Sequence, residues 1–227
     1  MRGAILAAIA ALVMGAAAPA AAQLENISNR EAVSALKTAL DKGARAAVDQ
    51  LGRENGFFGD ARVKIPLPES LARAERTMRR LGMGRYADEL VLAMNRAAEA
   101  AVPEAKQLFV GSVKKMTVQD AKGILTGGET AGTEYFRRTT AEQLRLRFLP
   151  IVRKSTEKVG VAQTYNRYAQ QGAALGLIRE EHADLDAYVT QKALDGLYFM
   201  VAEEEKKIRK DPVGAASSII RKVFGAL

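Results

Sequence analysis

Along most of this chain apolar residues recur at steps of three and four, the spacing that gathers them on one face of a helix. Ser28 and Glu31 make a capping box, in which each side chain bonds the other residue's free backbone N–H. Behind it Val33, Leu36, Leu40, Ala44, Val48 and Leu51 form the first stripe, and Gly52 supplies a stop, so a helix is expected over Asn29 to Leu51. Arg53 to Pro68 breaks the pattern. Gly56 and Gly59 flank Phe57 and Phe58, and Ile65-Pro66 and Leu67-Pro68 are expected to be extended, because a residue before proline is pushed out of the helical region. Pro68 stands where proline is favoured, at the opening of a second helix. There Leu71, Ala74, Met78 and Leu81 face one way and Arg73, Arg76 and Arg80 nearly the other, up to a break at Gly82 and Gly84.

Tyr86, Leu90, Met94 and Ala97 mark a third helix, which Pro103 divides from a fourth ending near Met116. Thr117 and Asp120 open a short helix that Gly127-Gly128 closes. Tyr135 and Phe136 lie on the next, Thr140 with Gln143 reads as a further cap, and Pro150 predicts a kink or break within Ala141 to Val159. Another helix is expected over about Val161 to Gln171. Asp184 caps the longest, Leu185 to Lys210, whose Leu197 to Ala202 run is apolar on every side and so reads as buried from several directions. Glu203/Lys207 and Glu205/Arg209 follow at the favourable i,i+4 order. Asp211-Pro212 ends that helix ahead of an amphipathic segment with Val213, Ile219, Ile220 and Phe224. Val63 to Leu67 is the one strand candidate. With no solenoid period and no low-complexity linker, the pattern predicts an all-α single domain of eight to ten helices packed around a long central helix, Leu185 to Lys210.

The first 22 residues read differently. Arg2 precedes a largely apolar run from Ala4 to Ala18, and Pro19 with Ala20-Ala21-Ala22 gives the small-x-small pattern of a signal-peptidase site. Cleavage after Ala22 is expected, leaving residues 23–227 as one helical domain in the periplasm or secreted. The run is rich in alanine and short for a bilayer span, which needs about 20 apolar residues. The chain has no cysteine, which excludes disulfides, thiolate zinc sites, thiol nucleophiles and lipid attachment after the apolar run. Its formal net charge is +8. In the cytosol that excess would point to nucleic acid; outside the inner membrane the anions on offer are phospholipid headgroups, lipopolysaccharide, acidic polymers and acidic protein faces. Nucleic acid becomes a minor alternative.

The stretches GFFGDARVKIPLPESL (Gly56 to Leu71), RYADELVLAMNRAAEAAVPEAK (Arg85 to Lys106), AKGILTGG (Ala121 to Gly128), YFRRTT (Tyr135 to Thr140), RFLPIVRK (Arg147 to Lys154) and KALDGLYFMVAEEEKKIRKDPVG (Lys192 to Gly214) resemble those of one bacterial family. It is catalogued as domain of unknown function 4197, and the resemblance extends over roughly Ser28 to Phe224. It implies an exported helical domain found as a single unit, and it brings no activity, cofactor or partner with it.

The residues carry no catalytic, metal or cofactor set. His182 is the single histidine, and with Glu180, Glu181 and Asp184 it makes a poor zinc site but a reasonable solvated turn before a helix. Ser-x-x-Lys occurs three times, at Ser34/Lys37, Ser112/Lys115 and Ser155/Lys158, without the companion motifs that give it meaning. Gly127-Gly128 could cradle a phosphate at the start of a helix, though a helix-ending turn explains it better. Glu203-Glu204-Glu205 reads as a solvated face paired to the following lysines and arginine. Two features stand out as candidate ligand or partner contacts. Phe57 and Phe58 must plug the core or line a mouth. Arg73, Arg76 and Arg80, with Arg137 and Arg138, form basic clusters suited to an anionic partner. The expected function is that of a non-enzymatic binding or interaction protein of the bacterial envelope, taking an apolar or anionic ligand, a lipid or an acidic protein. The alternatives are a cell-wall or lipid-acting enzyme whose carboxylates assemble in the fold, or a structural or chaperone-like envelope factor.

Overall fold

The computed structural model describes residues 29–69, 76, 79–80, 82, 84–157 and 184–211. Among them the ordered elements are α1 (Asn29–Leu51), α2 (Gly84–Ala101), a 3-10 turn (Val102–Glu104), α3 (Ala105–Lys115), α4 (Val118–Leu125), α5 (Ala131–Thr156) and α6 (Leu185–Lys210). The all-helical class holds for these residues. Six α-helices are present there rather than eight to ten. The helices expected near 161–171 and after Pro212 lie outside the described residues, as does most of the one expected after Pro68.

Part of the shortfall has a physical cause at Pro150. A proline inside a helix removes one hydrogen bond and costs about 3 kcal/mol, so a kink or a break is the natural expectation. There is no break: one helix runs through it, from Ala131 to Thr156. Leu144, Phe148, Val152 and Thr156 are all buried at four-residue spacing, while Pro150 sits on the exposed side. Burying that stripe outweighs the lost bond. Thr140, which reads as a cap in the sequence, lies inside the same helix, its hydroxyl bonded to the Phe136 carbonyl and the Tyr198 hydroxyl. Two expected helices are therefore one.

The merged helix also changes the centre of the fold. α5 packs against α2, α3, α4 and α6, whereas α6 packs against α1, α2 and α5. The core is organised about this pair rather than about α6 alone. Phe109, Phe136 and Tyr198 from α3, α5 and α6 meet there, with ring centroids 4.6 Å apart for the two phenylalanines and 6.2 Å for Phe109 and Tyr198.

The 52–68 connection is held by α2. Val63 to Leu67 is not a strand: Val63 ends a turn, with its N–H and that of Lys64 on the Asp60 carbonyl, and the Ile65 backbone bonds to a side chain in place of a sheet neighbour. Asn95, fully buried, accepts from the Ile65 N–H at 2.8 Å and donates to the Ile65 carbonyl at 2.9 Å. Glu99 accepts from the Phe57 and Phe58 N–H groups at 3.0 and 3.1 Å. Both polar ends of this irregular segment are thereby satisfied inside the protein. Phe57 itself is 0% exposed and lies over Gly196 of α6, where a Cβ would stand 2.7 Å from its ring. Phe57→Ala is expected to cost about 3–5 kcal/mol in urea unfolding. Gly196→Val should destabilise as well, by forcing the ring out of its seat.

Candidate functional site

The buried carboxylates are the first place to look for chemistry, and each has a structural task. Glu99 holds the Phe57 and Phe58 amides through one oxygen and the Arg96 guanidinium through the other. Asp186 accepts from the Thr156 hydroxyl and lies 3.5 Å from Arg153. Glu205, on α6, caps the start of α5 from outside: it accepts from the Gly132 N–H at 2.9 Å, the Thr133 N–H at 2.8 Å and the Thr133 hydroxyl at 2.8 Å. Thr130, the residue preceding α5, makes no side-chain cap of its own. Glycine suits position 132, since a Cβ there would displace the Leu40 Cδ2 methyl and press on the Glu205 carboxylate. Arg209, one turn along α6, pairs with Glu205 at 2.9 Å and donates to the Ile124 carbonyl at 2.9 Å.

That arrangement decides two sequence expectations. The phosphate cradle at Gly127-Gly128 would draw on the N–H groups at the start of α5, and Glu205 already occupies the two at Gly132 and Thr133. The Glu203-Glu204-Glu205 face is paired as expected only in part. Glu205 pairs with Arg209 four residues on, as expected, but is 6% exposed and points inward, while Glu203 meets Lys206 in place of Lys207, and Glu204 meets Lys207.

The candidate contacts separate. Phe57 plugs the core. Phe58 is half-buried, with the Lys64 ammonium 4.1 Å from its ring centre. Arg73 lies outside the described residues. Arg76 and Arg80 are exposed, and Arg79 beside them pairs with Asp88 at 2.5 Å. Arg137 lies over the Tyr198 ring at 4.6 Å, and Arg138 lies 5.5 Å from the Tyr135 ring and pairs with Asp120 at 3.2 Å. Of these residues, Arg138 reaches an open groove.

The groove runs between α4 and α5 and has a volume of about 510 Å³. Gly123, Gly128 and Ala131 line it beside the edges of the largely buried Ile124 and Tyr135; Asp120, Glu134 and Arg138 give it charge. Tyr135 also borders a smaller hollow of about 140 Å³ with Ser112, Lys115, Thr139 and Gln143, and its hydroxyl donates to the Ser112 carbonyl at 2.8 Å. No sequence signal marks Tyr135 as a wall shared by two hollows, because its position depends on how α3 and α4 meet α5. The groove brings two carboxylates to one space, as acid–base chemistry would require. Asp120, however, has both oxygens engaged. One accepts from the Thr117 N–H and hydroxyl, the other from Arg138. The Thr117 hydroxyl first, then the Thr117 N–H and the Arg138 charge, hold its carboxyl below the usual aspartate range. Glu134 stands 3.9 Å from Arg137. An ionised, fully bonded aspartate suits holding a shape better than moving a proton.

His182 lies outside the described residues; among those described, no group of three potential ligands could hold a metal ion. No described helix is long and apolar enough to cross a membrane. Ser112, from one Ser-x-x-Lys match, bonds to the Thr139 hydroxyl.

These features define an all-helical, cysteine-free domain whose buried charges fasten helix ends and whose open groove lies between α4 and α5. The chain belongs to the family described as Protein of unknown function (DUF4197), whose sequence model matches residues 26–225. No curated protein and no solved structure matches the chain.

Glu205→Ala leaves two buried N–H groups and Arg209 without their carboxylate and is expected to cost about 3–5 kcal/mol in denaturant unfolding. For Asp120, whose folded pKa is lowered, the stabilisation is present above the unfolded carboxylate value of about 3.9 and is lost as pH falls through the folded one. Asp120→Asn should therefore lower stability at neutral pH and flatten the acid limb of a stability-versus-pH curve. Thr117→Ala should cost about 1 kcal/mol by removing the same cap.

Proposed function

We propose that this protein is exported to the periplasm, loses residues 1–22, and acts there as a non-enzymatic binding protein whose ligand seats in the α4–α5 groove. The observation that carries the proposal is the groove itself. Its volume of about 510 Å³ falls within the range of small-molecule sites, roughly 300–1,000 Å³. Its lining favours an amphiphile. Ala131, with the narrow exposed edges of the largely buried Ile124 and Tyr135, offers a small apolar strip, and Arg138 stands at hand for an anionic end. Arg138 is two-thirds exposed and its pairing to Asp120 is on the surface, so it can exchange that partner for a ligand at little cost, while Asp120 keeps its bonds to Thr117. The formal charge of +8 favours anionic envelope components over neutral ones.

Native mass spectrometry and solvent extraction of protein purified from the periplasm test this. The expected result is a mature amino terminus at Gln23 and a co-purifying amphiphile that Arg138→Glu releases or weakens by at least about tenfold. A ligand-free protein, equally so in wild type and variant, with no salt-sensitive association with envelope material, would rule the proposal out.

A further inference from the structure

The outward face of α5 is at odds with its position on the surface. The helix buries Leu144, Phe148, Val152 and Thr156 on one side. At 100° per residue, Leu146 and Pro150 fall near the opposite side, at the middle of the exposed face. There a surface helix ordinarily carries charge. Leu146 is instead 66% exposed, against 55% for Val118, 39% for Phe199 and 37% for Leu92. Pro150 is exposed too, and Leu149 beside it is half-buried. Around this apolar ridge stand Arg147, Arg153 and Lys154, all exposed, with Gln143 and one acid, Glu142. Arg147 and Arg153 reach carboxylates only at 3.5 Å, on Glu104 and Asp186, and each is about half exposed. Across the whole helix six basic residues, Arg137, Arg138, Arg145, Arg147, Arg153 and Lys154, face two acids, Glu134 and Glu142.

We propose that this face docks on an anionic lipid surface, with Leu146 and Pro150 entering the headgroup boundary and Arg147, Arg153 and Lys154 meeting phosphates on either side. An apolar centre flanked by cations is the arrangement by which a helix lies in a membrane interface. Each cation near such a surface adds attraction that salt screens. The shape favours lipid over an acidic protein. Leu146 is two-thirds exposed and lines neither hollow beside Tyr135, and fluid headgroups can close around a protruding side chain that a protein would have to match with a pocket of its own. The proposal rests on the anionic partner inferred above but not on the α4–α5 groove, whose lining contains neither Leu146 nor Pro150.

The test is co-sedimentation of the full chain with vesicles of phosphatidylcholine alone or mixed with phosphatidylglycerol, at low and high salt, for wild type, Leu146→Glu, Lys154→Glu and Leu146→Ile. All four share residues 1–22, so binding by that apolar run cancels in the comparison, and circular dichroism checks that each variant is folded. The expected result is salt-sensitive binding to the phosphatidylglycerol vesicles, weakened about tenfold or more by either glutamate and kept by isoleucine. Equal binding by wild type and both glutamate variants would overturn the assignment of this face while leaving an anionic partner in place. Capture of an acidic protein through Leu146, without vesicle binding, would overturn the lipid. Loss of both, with no salt-sensitive association with any anionic material, would remove the broader reading as well.

Discussion

The ion pair of Glu205 and Arg209 is the joint on which the architecture turns. The two residues lie one turn apart on α6, and each serves the end of a different helix. Glu205 receives the N–H groups at the opening of α5, where the aligned backbone dipoles leave partial positive charge. Arg209 gives a hydrogen bond to the Ile124 carbonyl in the last turn of α4, where the charge has the opposite sign. One buried pair therefore grips both ends of the turn through Gly127 and Gly128 and sets the angle at which α4 leaves α5. The groove is the space that angle creates. Its geometry depends on two residues from α6 that line it nowhere.

Sequence reasoning reached the parts of the fold that periodicity governs. The bounds of α1, the Thr117/Asp120 capping box, the division at Pro103 and the Asp184 cap of the last long helix all stand where spacing and local chemistry put them. It stopped where a distant residue decides the outcome. Pro150 carries its usual penalty, and only the packing of α5 against four other helices shows why the helix continues. Ile65 reads as a strand residue from its apolar neighbours, and it stays out of a sheet because Asn95, thirty positions on, satisfies its N–H and carbonyl. Glu205 sits in a run of charged residues that any local rule assigns to solvent. Glycine at 132 is the one signal that something large approaches the start of α5, and it does not say what.

The candidate contacts were legible as residue types more than as places. Aromatic residues in a glycine-flanked loop had two outcomes open to them, and Phe57 took the buried one. The arginines had more. Arg79 and Arg138 pair with carboxylates, Arg137 and Arg138 lie over tyrosine rings, and Arg76 and Arg80 remain exposed. A positive total in the composition thus resolves into cations already engaged and cations still able to change partners. That distinction, invisible in a residue count, picks out the two surfaces at issue: the groove reached by Arg138 and the face around Leu146.

The seat of Phe57 has a reach of its own. Its ring lies against Gly196, 139 positions further along the chain, while its amide is held by Glu99 from α2. The loop that carries it thus fastens an early part of the polypeptide to a late one through an intermediate helix. Such a latch makes the halves interdependent: synthesis must proceed beyond residue 196 before the ring has anywhere to go, and until then its benzyl group is open to solvent or to whatever escorts the nascent chain.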